Sequence, residues 1–267
     1  MSAFPRLTLA EVRERGQGDR HLLADPTYAR VVMRRLSPYV TLLITRWSGL
    51  SADAVTSLSI LAGVGGALAV AVPSAATYLL AIVLLQFAYL LDVVDGEVAR
   101  VRGSAGVRGT YLDLVGHVLQ NQALYAASGF ALIQATNAAP WAIGLALVGV
   151  AFSAPFGIQA RLLVLGRRPS AAETTHGRVT TAPLAPGASL ASRIYWLYRW
   201  IAFLWNYPAS MNLFCVALLV DLVRMGADDA ARPLILPAFA ALFVGTLAVK
   251  QVANALRILR SESWKAS

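Results

Sequence analysis

Apolar positions dominate the chain in six runs, each long enough, at about 20 residues, to cross a bilayer as a helix. They extend over roughly 54–72, 75–93, 110–136, 140–165, 201–223 and 233–256. Pro73 and Ser74 separate the first run from the second, and Pro140 opens the fourth. The runs are rich in Ala, Gly and Leu, a composition that lets membrane helices pack closely. Ahead of them lies a different pattern. Val32, Leu36, Tyr39 or Val40, Leu43 and Trp47 recur at helical spacing, with Arg30, Arg34, Arg35 and Arg46 between them. This predicts an amphipathic helix lying in the interface plane. It starts at Ser37-Pro38, with serine as N-cap and proline in the first turn, and its arginines argue against a seventh span. The expected fold is an all-α integral membrane protein, with six transmembrane helices preceded by an amphipathic interfacial helix. Four segments follow: a cytoplasmic N-terminal segment 1–27, the interfacial helix 28–48, the membrane domain 49–260 and a cytoplasmic tail 261–267.

Composition supports the membrane reading. The chain is 57% hydrophobic and 14% charged, against roughly 25% charged in a soluble domain, and its mean hydropathy is +0.60. The net charge of +9 is nearly all arginine, since Lys250 and Lys265 are the only lysines. Arginine binds phosphate oxygens in a bidentate way, so the balance suits anionic headgroups or phosphorylated substrates. Nucleic acid is not an expected partner, because no soluble basic domain is present to hold it. Charge placement predicts orientation. Arg100, Arg102 and Arg108 follow the second run, Arg167, Arg168, Arg178, Arg193 and Arg199 follow the fourth, and Arg257, Arg260 and Lys265 follow the sixth. The opposite connections are short or charge-balanced, so the positive-inside rule puts both termini on the cytoplasmic side of the cell membrane. The first 18 residues lack the apolar core of a signal peptide. Cys215, the only cysteine, reads as a packing residue in an apolar run. The connection 166–191 is long enough to be a functional lid or disordered.

Within this apolar background, Asp92, Asp95, Asp113 and His117 interrupt the second and third runs. Ionisable groups at the edge of hydrocarbon cost several kcal/mol unless paired, hydrated or metal-bound. Asp92 and Asp95 are three apart and Asp113 and His117 four apart, so each pair shares a helix face. The two helices are joined by a short loop and are antiparallel, so the four side chains can converge near the cytoplasmic end. Close carboxylates repel unless a cation joins them, and three acids suit a hard divalent ion such as Mg²⁺ or Mn²⁺. Gly96 and Ala99 leave a recess beside the acids, and Arg100 adds a fixed positive charge. Together these describe a diphosphate site, in which metal offsets the charge of a leaving phosphate. The plainer reading is an ion pair of Asp95 with Arg100 or Arg102 that fixes helix packing, but such a pair needs neither three acids nor flanking glycines.

The spacing D-x-x-D-G-x-x-A-R, eight residues, then G-x-x-x-D-x-x-x-D resembles the CDP-alcohol phosphotransferase family. The chain matches it at Asp92, Asp95, Gly96, Ala99, Arg100, Gly109 and Asp113, and departs from it at the last position, where His117 replaces aspartate. Asp53 and Thr56 are similar to the family's Pro-Asn-x-x-Thr entry to the first span, with Asp53 replacing asparagine. The resemblance implies transfer of a phospho-alcohol group from a CDP-alcohol, such as CDP-diacylglycerol, to a second alcohol with release of CMP, a step of phospholipid biosynthesis. It implies that Asp92, Asp95 and Asp113 hold one or two divalent ions. Gly96, Ala99, Arg100, Gly109, Asp53 and Thr56 would line the CDP site, and His117 would take the place of the base that deprotonates the acceptor.

The histidine leaves three readings open: a general base, a ligand to a softer metal such as Mn²⁺ or Zn²⁺, or the mark of a diverged, low-activity CDP-alcohol-binding paralogue. Arg161, Arg168, Arg193 and Arg199 would suit an anionic acceptor such as a polyol phosphate, or would anchor helices to anionic lipid. Glu97, on another face than the acids, reads as a residue that supports the site from behind or as a packing partner. An ion-coupled transporter is the competing class, but the acids lie near one membrane face rather than at the midplane. Gly144 and Gly149 would permit the close helix contacts of a homodimer.

Overall fold

The computed structural model describes residues 7–18, 28–47, 49–136 and 209–227, with isolated positions between 187 and 193. The runs expected at 140–165 and 233–256, the first part of the run at 201–223, and Gly144 and Gly149 lie outside these residues. Every described element is helical. Helix α1, Leu9–Val12, is capped by Thr8, which exchanges hydrogen bonds with Glu11 in a capping box. It runs on through a widened turn, Arg13–Gln17. A second widened turn, Ala29–Met33, leads into α2, Arg34–Trp47.

Helix α3, Ala52–Val70, starts at Ser51, whose Oγ accepts from the Ala54 N–H at 3.2 Å. Helix α4, Ala75–Val101, starts at a second capping box, Ser74 with Thr77. Its C-terminus is closed by Gly103 at φ 66°. The Ser104 N–H donates to the Ala99 carbonyl at 2.8 Å and the Gly103 N–H to Arg100 at 3.1 Å. This pair of bonds needs a left-handed residue after the helix, which glycine adopts without strain. Helix α5 covers Val107–Thr136 and α6 covers Ala209–Ala227.

Two details differ from the pattern expected of the sequence. The helix of residues 34–47 does not begin at Ser37-Pro38, because Pro38 lies inside α2. Proline has no N–H to give to the carbonyl four residues back, and that carbonyl, of Arg34, instead accepts from Gln17 Nε2 at 2.8 Å. The partner that makes an internal proline tolerable comes from α1's widened turn, which local spacing cannot reveal. The second apolar run also does not end at Val93, since α4 continues to Val101. At 1.5 Å per residue α4 is about 40 Å long, against about 30 Å of hydrocarbon. Asp92 falls about 26 Å from Ala75 along the axis, so the polar turns sit where a spanning helix leaves the bilayer.

Helices α3 and α4 form an antiparallel hairpin, and α3 also packs against α5. At Gly66 a Cβ would sit 3.0 Å from Leu85 Cγ and 3.1 Å from the Leu85 backbone nitrogen, so glycine sets the closeness of the hairpin. The main core joins Val70, Tyr78, Leu85, Tyr89, Leu124 and Tyr125 to Met211, Phe214 and Leu218 of α6. A smaller cluster of Val55, Leu91, Val94 and Val98, with Val40 and Ile44 of α2 against it, backs the polar end of α4. Leu61, Leu68, Leu79, Val83, Phe87 and Phe130 point outward and exposed. Apolar side chains exposed along three helices fit contact with a membrane or a partner. Helices α3 and α4 are each long and apolar enough to cross a membrane.

Candidate active site

The last turns of α4 and the first turns of α5 carry the polar cluster. The backbone of α5 lies against α3 rather than against α4, which leaves a gap that polar side chains bridge. His117 Nε2 is 2.9 Å from Asp92 Oδ1 and 3.2 Å from Asp113 Oδ1. The helical spacing of four places Asp113 directly above His117, and the closeness of Asp92 comes from the crossing of the two helices. The three groups offer ligand atoms that all lie within 4.8 Å of one another. Neighbouring ligands of an octahedral ion with bonds of about 2.1 Å stand about 3 Å apart, so two oxygens and one nitrogen at these spacings fit a divalent ion.

Asp95 stands apart from that trio. It is buried, and its Oδ2 accepts from the Thr56 hydroxyl at 2.6 Å. Thr56 itself is buried in the second turn of α3, so this bond ties α3 to α4 at the carboxylate. Gly96, Ala99 and Arg100 follow Asp92 along the partly exposed face of α4. A Cβ on Gly96 would lie 3.1 Å from Arg100 Nη1, so the missing side chain lets the guanidinium lie over the helix. Gly109, one turn before Asp113, faces open space. Asp53 is drawn to α5 instead, its Oδ2 3.1 Å from Arg108 Nε in an exposed pair. Arg193 is exposed, while Arg161, Arg168 and Arg199 lie outside the described residues.

Behind this face sits Glu97, the acid expected to support the site from behind or to serve packing. Glu97 is fully buried. Its Oε1 accepts from Ser37 Oγ at 2.6 Å, from Gln17 Nε2 at 3.0 Å and from Arg34 Nη1 at 3.3 Å, and its Oε2 accepts from Thr41 Oγ1 at 2.7 Å. The signal available in the sequence is the four-residue spacing of Ser37, Thr41 and Thr45, a small polar stripe on a helix whose opposite side carries Leu36, Tyr39 and Leu43. All three stripe residues are buried and the opposite three are exposed. Arg102 ties the same region together through the carbonyls of Leu50 and Ile44.

The carboxylate–imidazole trio, with an arginine and small residues along the neighbouring face of α4, offers donor atoms for a divalent ion. Residues 50–212 match the family model of CDP-alcohol phosphatidyltransferase, and the chain belongs to that family. A comparison with curated proteins gives no match. Members of the family are membrane-embedded transferases of substituted phosphate groups. They move a phospho-alcohol group from a CDP-alcohol donor to an alcohol acceptor and use divalent metal ions.

Proposed function

We propose that the donor is lipid-linked, CDP-diacylglycerol in the first instance, and that the enzyme transfers its phosphatidyl group to an acceptor hydroxyl in phospholipid biosynthesis. The convergence of Asp92, Asp113 and His117 across the gap between α4 and α5 is the observation that carries this reading. Asp92 and Asp113 would hold Mg²⁺ or Mn²⁺, with Asp95, fixed by Thr56, as the third acid of the set. When bound, the metal offsets negative charge on the diphosphate as CMP departs. Gly96, Ala99, Arg100 and Gly109 line the CDP side, with Asp53 at its rim. The acceptor oxygen forms a bond to the phosphorus bearing the lipid, the bond from that phosphorus to the bridging oxygen of the diphosphate breaks, and its electron pair leaves with CMP.

In this reading His117 takes the hydroxyl proton, and the imidazolium so formed is stabilised by carboxylates at 2.9 and 3.2 Å. A second reading makes His117 a metal ligand, and the same spacings favour it, because nitrogen suits Mn²⁺ better than Mg²⁺. CMP release by the wild type, His117→Asp and His117→Ala in each metal separates the two. As base, His117→Ala lowers turnover by about a hundredfold or more at any metal concentration. As ligand, His117→Ala raises the Mn²⁺ requirement, and excess Mn²⁺ restores turnover. Activity of His117→Ala equal to wild type rules out both.

The proposed architecture has six spans, with α2 in the interface plane and its exposed Leu36, Tyr39 and Leu43 turned to lipid. Arginine placement puts the site on the cytoplasmic face. Arg161, Arg168, Arg193 and Arg199 suit an anionic acceptor, and a homodimer is the expected assembly.

A further inference from the structure

Arg100 is held from outside the motif. Its Nε donates to the Gly16 carbonyl, and Gly16 is buried against Glu97 and Val101, with a built Cβ 3.4 Å from Glu97 Cβ. The next residue, Gln17, is buried and donates to both Glu97 and the Arg34 carbonyl. The widened turn Arg13–Gln17 is therefore pinned by its last residue to a fully buried carboxylate three positions before Arg100. We propose that this turn is part of the donor site, and that Gln17 and Glu97 are positioning residues that hold the Arg100 guanidinium ready for the donor diphosphate. The inference rests on the reading of Arg100 as a contact to that diphosphate.

The physical case is one of lost freedom. An arginine carries several rotatable bonds, and its planar fork binds phosphate well only when its orientation is fixed. Gly96 gives the guanidinium a flat floor, and the Gly16 carbonyl fixes its Nε edge. The other guanidinium nitrogens lie over Gly96, which shares the partly exposed face of α4 with Asp92. The Gly16 carbonyl can serve only while the turn stays docked. Gln17 anchors that docking, beside the buried Val12 and Arg13 over the Tyr39 ring, because it bridges a carbonyl left over by Pro38 and the carboxylate of Glu97. Loss of Gln17 frees the turn without touching Asp92, Asp113 or His117.

The test compares full-length wild type, Gln17→Ala, Gln17→Glu, Arg100→Ala and the double variant Gln17→Ala/Arg100→Ala, all in detergent. CDP binding by calorimetry is the direct readout, and KM and kcat for CDP-diacylglycerol and acceptor are the second. Positioning through Arg100 predicts that Gln17→Ala weakens CDP binding and raises donor KM about tenfold, with kcat and acceptor KM within about twofold. Gln17→Glu, which sets a second acid beside Glu97, has at least as large an effect. In the double variant the loss equals that of Arg100→Ala alone, because the two act as one unit. Unchanged CDP binding in folded Gln17→Ala, or losses that multiply in the double variant, overturns the proposal. A thermal midpoint measured on each variant separates unfolding from mispositioning, and a Gln17→Ala that unfolds while Gln17→Glu folds and binds CDP normally also overturns it. If wild type binds CDP and Arg100→Ala binds it equally well, the diphosphate role of Arg100 itself fails, an outcome distinct from failure at Gln17.

Discussion

Asp92 and Asp95 are three residues apart on one helix, yet they meet different surroundings. Asp92 is partly exposed and shares His117 with Asp113, while Asp95 is buried and bonded to Thr56 at 2.6 Å. A hydrogen bond to a charged group is worth about 1.5–3 kcal/mol, so Thr56→Val lowers kcat/KM about ten- to a hundredfold. Steady-state assays at saturating metal check this, and an unchanged value removes Thr56 from the site. Glu97 carries the stability of the same region. Glu97→Ala leaves Arg34 without its carboxylate in a nearly dry setting and costs about 3 kcal/mol or more, measured as unfolding in a mild detergent. Glu97→Gln costs less, because the amide still accepts from some of the donors. The pairing of Asp113 with His117 is legible in the sequence, because it needs only helical spacing. The partners of Glu97 are not, because Thr41, Ser37, Arg34 and Gln17 lie 56, 60, 63 and 80 positions away.

Helix ends and helix contacts follow from short-range signals more fully. Ser51, Ser74 and Thr8 cap as their side chains allow, and Gly103 closes α4. The apolar run of α4 under-reads the helix, because Asp92, Asp95 and Glu97 break the hydrophobic pattern without breaking the backbone. Pro38 misleads in the other direction, since its cost is offset by Gln17. Between elements, Gly66 is the tightest point of the α3–α4 hairpin. Gly66→Leu forces these helices apart, so both thermal stability and turnover fall together, with Gly65→Leu, beside ordinary contacts only, as the milder control. In α1, the Thr8 backbone N–H, and then its hydroxyl, hold Glu11 below the usual carboxylate range. A lowered folded value stabilises at neutral pH and is lost as pH falls through it. Protection of the α1 amides, measured against intrinsic exchange at each pH, therefore falls under acid, and Glu11→Gln removes that pH dependence.

At the scale of the described helices as a whole, an apolar core lies inside, apolar side chains face outward, and Asp92, Asp95, Asp113 and His117 gather at one end. The loop between α4 and α5 belongs to that polar end, and the turn between α3 and α4 to the other. In a Cys215→Ser background, Ser104→Cys is labelled by an impermeant thiol reagent from the cytoplasmic side, and Val72→Cys from the opposite side. The reverse pattern contradicts the proposed orientation. The helical class and the family were legible because apolar helices and a long spaced motif both leave periodic marks. The docking of residues 13–17 on α4 leaves none, as it joins a charged, locally unremarkable turn to a distant glutamate. The central claim is metal-dependent transfer at the Asp92, Asp113 and His117 cluster. It is tested most directly by measuring CMP released by the purified protein from CDP-diacylglycerol with a panel of polyols and polyol phosphates. The predicted result is CMP formed with Mg²⁺ or Mn²⁺, abolished by chelator and by Asp92→Asn or Asp113→Asn. CMP formation that survives both substitutions, or none from any donor and acceptor pair with the folded protein, contradicts it.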